Sequence, residues 1–284
     1  MPHIDRLASV HPDAQLAIDV TVGPYAIIEA GVTIGEGCAI GARASVKSGT
    51  QLGKGNTVCE GAVLGGRPQH LGATANVGKL IIGEANHFRE NTTLHRGLEL
   101  GKDTIVGNGN FFMVAAHVGH DCHVGNDVIL ANNAMLGGHV IVEDRAFLSG
   151  NVAVHQFCRI GTLAMVGGQA RVTRDIPPFV MIDGVSSLCV GLNNVGLRRA
   201  GFGRDEVAQI KAAFRHVYRS GLAWNEMLSA LPKKFPSGPA AKFAAFLSEG
   251  QRGIVQLRNK PAAASLKLIP VHEPADASDL RKAG

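Results

Sequence analysis

Aromatic residues are scarce in this chain of 284 residues: one Trp, two Tyr and eleven Phe. None are interleaved with its basic residues, and no nucleic-acid motif is present, which argues against a nucleic-acid partner. No apolar run approaches the length of a membrane span, so a spanning helix is excluded. Met1 to Val10 lacks the charged, apolar and small-residue succession of a secretory signal. The five cysteines, Cys38, Cys59, Cys122, Cys158 and Cys189, show no paired spacing. That excludes a disulfide framework and implies reduced thiols and a cytoplasmic location.

Glycine, by contrast, is abundant, with 36 residues. Large apolar residues recur in one frame: Val10, Leu16, Val22, Ile28, Ile34, Ile40, Val46, Leu52, Val58 and Leu64, then Ile82, Phe88, Leu94, Leu100, Val106 and Phe112. The frame continues through Val118, Val124, Leu130, Leu136, Val142, Leu148, Val154, Ile160, Val166 and Val172. A step of six fits neither a helix nor a simple strand. It is the mark of a hexapeptide β-helix, in which three hexapeptides make one triangular coil. Each coil then buries its face only against its neighbours. Glycine follows many of the apolar positions (Gly35, Gly53, Gly83, Gly107 and Gly125 among them), as tight bends at the prism edges would ask.

The pattern lapses over 65–81, which predicts a protruding loop in place of one coil. The loop leaves and re-enters at the edge that carries His120. Long ordered loops usually serve function. The repeat is expected to stop at Ile176-Pro177-Pro178, where proline removes ladder donors. This gives a β-helix over 1–176, a helical domain over 177–258 and a mobile tail over 259–284. Helices are predicted at 204–221, 224–231 and 239–249, the first with Val207, Ile210, Phe214 and Val217 on its apolar face. Residues 1–170 carry 11 Lys and Arg against 14 Asp and Glu (11 − 14 = −3); residues 171–284 carry 17 against 9 (17 − 9 = +8). Lys211, Arg215 and Arg219 recur at every fourth position of the first helix. They are either a solvated face or a docking surface for an acidic partner.

Residues eighteen apart stack on adjacent coils. Val118, Leu136 and Val154 therefore share a column, and His120, Gly138-His139 and His155-Gln156 form a polar strip beside it. His120 adjoins Asp121, and His117 lies close. Imidazole there could act as a general base; histidines at coil interfaces could instead ligate zinc; or they could be hydrogen-bonded structural residues. The His120–Asp121 pair opposite a long loop favours catalysis. Gly138 could offer a backbone N–H to an oxyanion. Cys122 as a nucleophile is the weaker alternative, because its neighbours suit a turn equally well.

Six blocks carry a resemblance: A-H-V-G-H-D-C (116–122), I-L-A-N-N-A-M-L-G-G-H-V (129–140), A-V-H-Q-F-C (153–158), M-V-G-G (165–168), D-I-P-P-F-V (175–180) and Y-R-S-G (218–221). They resemble the acyl-carrier-protein-dependent UDP-N-acetylglucosamine O-acyltransferases, which make the first intermediate of lipid A. The likeness spans residues 8–256. It implies a mainly β fold, a left-handed parallel β-helix followed by a small α-helical domain, assembled as a homotrimer with active sites at subunit interfaces. It implies transfer of a (3-hydroxy)acyl group from acyl carrier protein to the sugar 3-hydroxyl of UDP-N-acetylglucosamine. The donor is the carrier-protein thioester, and neither cofactor nor metal is called for.

Position by position, the resemblance makes His120 the general base, Asp121 its support and Gly138 the oxyanion donor. His117, His139, His155 and Gln156 would line the site, with Gln69 reaching in from the loop. Gly168 would set acyl length, and Asn193 and Arg199 would contact the nucleotide. The resemblance breaks at five positions. His70, Gly72 and Ala73 stand where the family has Asp, Lys and Tyr, and Val195 and Ala200 stand where it has Glu and Arg. All five lie on the acceptor side, which leaves room for a different nucleotide sugar. Two other classes compete: a γ-carbonic-anhydrase-like metalloenzyme with interface histidines, and a non-catalytic trimeric scaffold.

Overall fold

A computed structural model describes residues 1–258; the expected tail at 259–284 lies outside the described residues. Short strands form three ladders of 11, 9 and 8 strands, one on each face of a triangular prism, parallel except for the antiparallel last strand of the first ladder, Cys189–Leu192. The first face holds Val22, Ile40, Val58, Phe88, Phe112 and Leu130. The second holds Ile28, Val46, Leu64, Leu94, Val118 and Leu136, and the third Ile34, Leu52, Ile82, Val106, Val124 and Val142. These side chains point inward and are buried, while their strand neighbours are more exposed. The six-residue step is thus the length of one face plus one corner.

Two corners depart from the regular step, both where the second face turns into the third. Leu64 stacks on Leu94, thirty residues later, and Leu94 on Val118, twenty-four later, before the step settles at eighteen from Val118 to Leu136. The loop at 65–81 is therefore an insertion within one coil and does not replace a coil. The frame also misplaced Leu100. That residue is 75% exposed and sits in a second insertion, between the strands Thr93–His95 and Thr104–Val106. An insertion of six residues keeps the frame, so Leu100 fell on it without entering the core.

The glycines after the core residues serve close approach more than bending. A Cβ at Gly53 would stand 2.6 Å from the Gly83 carbonyl oxygen, and one at Gly107 2.6 Å from that of Gly125. The left-handed conformation falls two residues further on and is mostly taken by other residues, including Asp121 (φ 59°) and His139 (φ 60°). These corners are over-determined by the ladders on either side.

A buried asparagine ladder runs inside the corner between the third and first faces. Asn86 donates its amide to Asn56 Oδ1 at 3.0 Å, Asn110 donates to Asn86 Oδ1 at 2.9 Å, and the Val128 N–H donates to Asn110 Oδ1 at 2.7 Å. The recurring Gly-x-x-Asn at 53–56, 83–86 and 107–110 is its sequence signal.

The sheet continues past the prolines. Ile176 bridges to Ile160, and the strand Val180–Ile182 pairs in parallel with Met165–Val166, so the coil boundary expected at 176 lies later. On the third face Asp175 bridges in parallel to Ile254, and that short pairing stops at Pro177, which has no N–H to continue it. The strand Cys189–Leu192 then leads into α1 (Asn194–Arg199), α2 (Arg204–Arg219), α3 (Trp224–Lys234) and α4 (Ala241–Ser248). Arg159 ties α4 to the prism: its guanidinium lies 4.5 Å from the Phe246 ring centre, donates to the Phe246 carbonyl at 2.9 Å and meets Glu249 at 3.1 Å.

The ladder gives a stability prediction. Asn86→Ala leaves Asn56 Oδ1 its bond from the residue-86 backbone N–H but orphans two buried donors of Asn110, its side-chain amide and its backbone N–H, at a combined cost of roughly 2–4 kcal/mol in urea unfolding. The exposed Asn108→Ala should cost under about 0.5 kcal/mol. Equal effects of the two substitutions would show that the buried ladder contributes nothing special.

Candidate functional site

The edge between the second and third faces carries the polar strip. Because strands pair in register, His117 stacks on Met135, and Met135 on Ala153. The next positions stack likewise, as Gly119 on Gly137 on His155, then His120 on Gly138 on Gln156, then Asp121 on His139 on Phe157. Both insertions hang over the same edge. Together they enclose an open cleft of about 350 Å³, lined by His120, His117, Gly138, His155, Gln156 and Gln69, with His70 and His95 also facing it.

His120 is buried, and its Nδ1 lies 2.6 Å from Asp121 Oδ2. With an ionised Asp121, Nδ1 carries the proton and Nε2 is left as the acceptor. Asp121 is held in turn. Its carboxylate accepts the Leu98 N–H at 3.1 and 3.3 Å, and its own N–H donates to Thr104 Oγ1 at 2.8 Å. Nε2 faces Gly138 so closely that a Cβ there would stand 2.6 Å away. Glycine is therefore the residue that fits opposite the imidazole. Among the described residues, the Gly138 N–H donates to no backbone carbonyl.

The neighbouring imidazoles are kept neutral by burial. Burial pushes His117 down to about 4 and lowers His95 from its ordinary value. His139 is lowered by the same cause, against an opposing pull from Asp121. Its Nε2 lies 3.8 Å from Asp121 Oδ2, and its ring stacks on Phe157 at 4.5 Å. His139 touches the dyad from behind and lines a separate groove with Phe157, Arg159 and Glu249. Cys122 is buried, and burial pushes its thiol up to about 12, so it holds no thiolate near neutrality. Its Sγ donates to the Gly137 carbonyl at 3.1 Å.

The other expected site residues lie elsewhere on this chain. Gly168 is exposed at the edge between the first and second faces. Asn193 is near the edge between the third and first faces. Its amide donates to the Leu163 carbonyl at 2.9 Å, and its Oδ1 accepts the Gly196 N–H at 2.9 Å, capping α1. Arg199 is exposed on the last turn of α1, and Val195 is exposed on its first. Lys211, Arg215 and Arg219 are all exposed on α2, opposite buried Ile210, Ala213 and Phe214.

Three contributors were missed by sequence reasoning. His95 packs its ring 5.2 Å from that of His117, and His70, read only as a departure, lies 5.6 Å from the His120 ring. The third, the Leu98 N–H, has no side-chain signal; it belongs to the insertion that Leu100 concealed.

His120, Asp121 and His139 also bring three potential metal ligands within 4.8 Å of one another. The short Nδ1 contact to Asp121 directs only Nε2 of His120 toward the cleft, an arrangement suited to taking a proton from a hydroxyl held there.

Comparison with known proteins accounts for both the prism and the helices. The model for UDP N-acetylglucosamine O-acyltransferase domain 2 matches residues 175–255, and the bacterial transferase hexapeptide model matches 13–48 and 31–66. An acyl-[acyl-carrier-protein]–UDP-N-acetylglucosamine O-acyltransferase of Halorhodospira halophila is 40% identical over 90% of this chain and 100% of its own length. One of Paraburkholderia phymatum is 43% identical over 90% and 100%. The crystal structure of the Francisella novicida UDP-N-acetylglucosamine acyltransferase superposes with a TM-score of 0.87 at 32% identity, covering 95% of this chain and 100% of that one. The acyltransferase of Campylobacter jejuni superposes at 0.84 and 33%, covering 90% and 100%. The left-handed parallel β-helix with a helical C-terminal domain agrees with these structures, since a coil of opposite hand could not superpose so closely. On identity over nearly its whole length and on fold, this chain belongs to the UDP-N-acetylglucosamine O-acyltransferase family.

Proposed function

We propose that the chain moves a (3-hydroxy)acyl group from acyl carrier protein to the sugar 3-hydroxyl of UDP-N-acetylglucosamine, with His120 as general base. The observation that carries this reading is the buried His120–Asp121 pair, whose free Nε2 faces Gly138 in the cleft. Nε2 would take the hydroxyl proton as the sugar oxygen attacks the thioester carbon. Asp121 would steady the imidazolium that forms, and the Gly138 N–H would donate to the developing oxyanion. His117, His155, Gln156 and Gln69 line the cleft in positions to orient the sugar, and the neutral state of His117 suits it to hydrogen bonding without charge.

A homotrimer is part of the proposal. Gly168, His120 and the Asn193–Arg199 pair lie at three different edges of one prism, so no single chain can gather them around one substrate. Three chains about a threefold axis bring unlike edges together. Gly168 would then leave room for a long acyl chain, and Asn193 and Arg199 would reach the nucleotide from another subunit. The exposed Lys211, Arg215 and Arg219 would dock the acidic carrier protein.

His120→Ala should lower acyl transfer by about 10²–10⁴-fold while leaving the assembly folded. Activity within a few-fold of wild type would remove His120 from the role. Metal analysis of the purified protein separates this reading from the metalloenzyme one, which requires stoichiometric metal on His120 and His139.

Reversing Lys211 and Arg215 to Glu should raise KM for the acylated carrier protein by about 3- to 10-fold at low salt, with KM for the sugar nucleotide unchanged. The effect should fade as salt shortens the screening length to about 10 Å at 0.1 M. Wild-type KM for the carrier protein at low salt would leave the stripe a solvated face.

A further inference from the structure

The catalytic edge does not end at the His120 cleft. Ala153 stacks on Arg171 and Val154 on Val172, so the register carries the edge one coil further. The column of His120, Gly138 and Gln156 continues at Arg174, and that of His117, Met135 and Ala153 at Arg171. There the edge opens into a second cleft of about 320 Å³, lined by Arg171, Thr173, Arg174, Ser186, Ser187 and Gln256 among others.

The donor set of this cleft is one-sided. Both arginines are exposed, and among the described residues neither takes part in an ion pair. No carboxylate is among its lining residues. The neighbouring Asp183 is engaged by Ser186 Oγ at 2.8 Å and by Arg258 at 3.4 Å. Ser187 Oγ accepts the Arg171 N–H at 2.9 Å, which leaves its own proton to donate. Two planar guanidinium forks beside hydroxyl and amide donors match a phosphate-type anion.

We infer that Arg171 and Arg174 hold the diphosphate of the nucleotide-sugar acceptor, an inference that rests on the acyl-transfer reading above. Three coil spacings of about 4.8 Å place Arg174 roughly 14 Å along the edge from His120. An arginine side chain reaching back over Gln156 covers part of that distance, and the sugar ring covers the rest. Asn193 and Arg199 of the same chain are at another edge, so the cations that the His120 chain itself offers along this edge are Arg171 and Arg174, beside whatever a neighbouring subunit brings. Two cations present in the family pattern are missing at Gly72 and Ala200, and these two arginines offset that loss.

The same chemistry could come from the phosphodiester of the carrier protein's phosphopantetheine arm, and the test separates the two sources. In the full chain, Arg171→Gln with Arg174→Gln should raise KM for UDP-N-acetylglucosamine about 10- to 100-fold, with kcat within a few-fold. Calorimetry should show UDP binding weakened to match and uridine binding unchanged, and KM for the acylated carrier protein should not move. If the double variant does not fold, Arg174→Lys, which keeps the charge and loses the fork, should show a several-fold rise in the same KM. Unchanged KM and UDP affinity would overturn the inference, as would a rise confined to the carrier-protein KM. A wild-type protein that transfers acyl groups without binding UDP would overturn the inference alone; one that does neither would overturn the acyl-transfer reading as well.

Discussion

The in-register parallel ladder is the constraint on which everything else depends. Each coil must present its backbone donors to the coil above and below, and each inward side chain must lie on its counterpart. Any length change is therefore confined to corners. Both insertions occur at one corner type, between the second and third faces, and the ladders resume in register after each. The wall of the prism stays regular while that one edge acquires loops, depth and a cleft.

That regularity also sets the site's geometry. Asp121 occupies the left-handed corner position, so its carboxylate turns back on His120 and accepts the Leu98 N–H of the overhanging insertion. The glycines at 137 and 138 remove side chains where the next coil and the imidazole come close. The base, its support and its opposing backbone N–H are thus held by ladder hydrogen bonds more than by loops. The same edge runs on to Arg171 and Arg174, so one edge carries the imidazole cleft and, one coil further, the arginine cleft.

Much of this was legible in the sequence because the repeat converts spacing directly into position. His120, Gly138 and Gln156 are eighteen apart, and no packing choice can separate them. What escaped had other physical causes. Leu100 kept the six-residue frame across an insertion of six, so periodicity could not reveal it as exposed. The Leu98 contact is made by backbone and leaves no mark in residue type. His139 follows Gly138 but belongs to the next column, which faces a different groove. The prolines at 177 and 178 suggested an end to the sheet; pairing on the third face stops beside them at the Ile176 and Ile254 bridges, while the first face runs on through Val180–Ile182. Gly168, Asn193 and Arg199 lie at other edges of this chain, and only the proposed trimer would bring those edges to His120.

The resemblance read from the sequence breaks at His70, Gly72, Ala73, Val195 and Ala200, all expected on the acceptor side. The most direct measurement is product analysis with a long-chain 3-hydroxyacyl carrier protein offered to a panel of sugar nucleotides, the ester position being fixed by mass spectrometry and NMR. The account predicts one ester, on the 3-hydroxyl of UDP-N-acetylglucosamine. No ester on any nucleotide, or preferential acylation of a different sugar nucleotide, would contradict it.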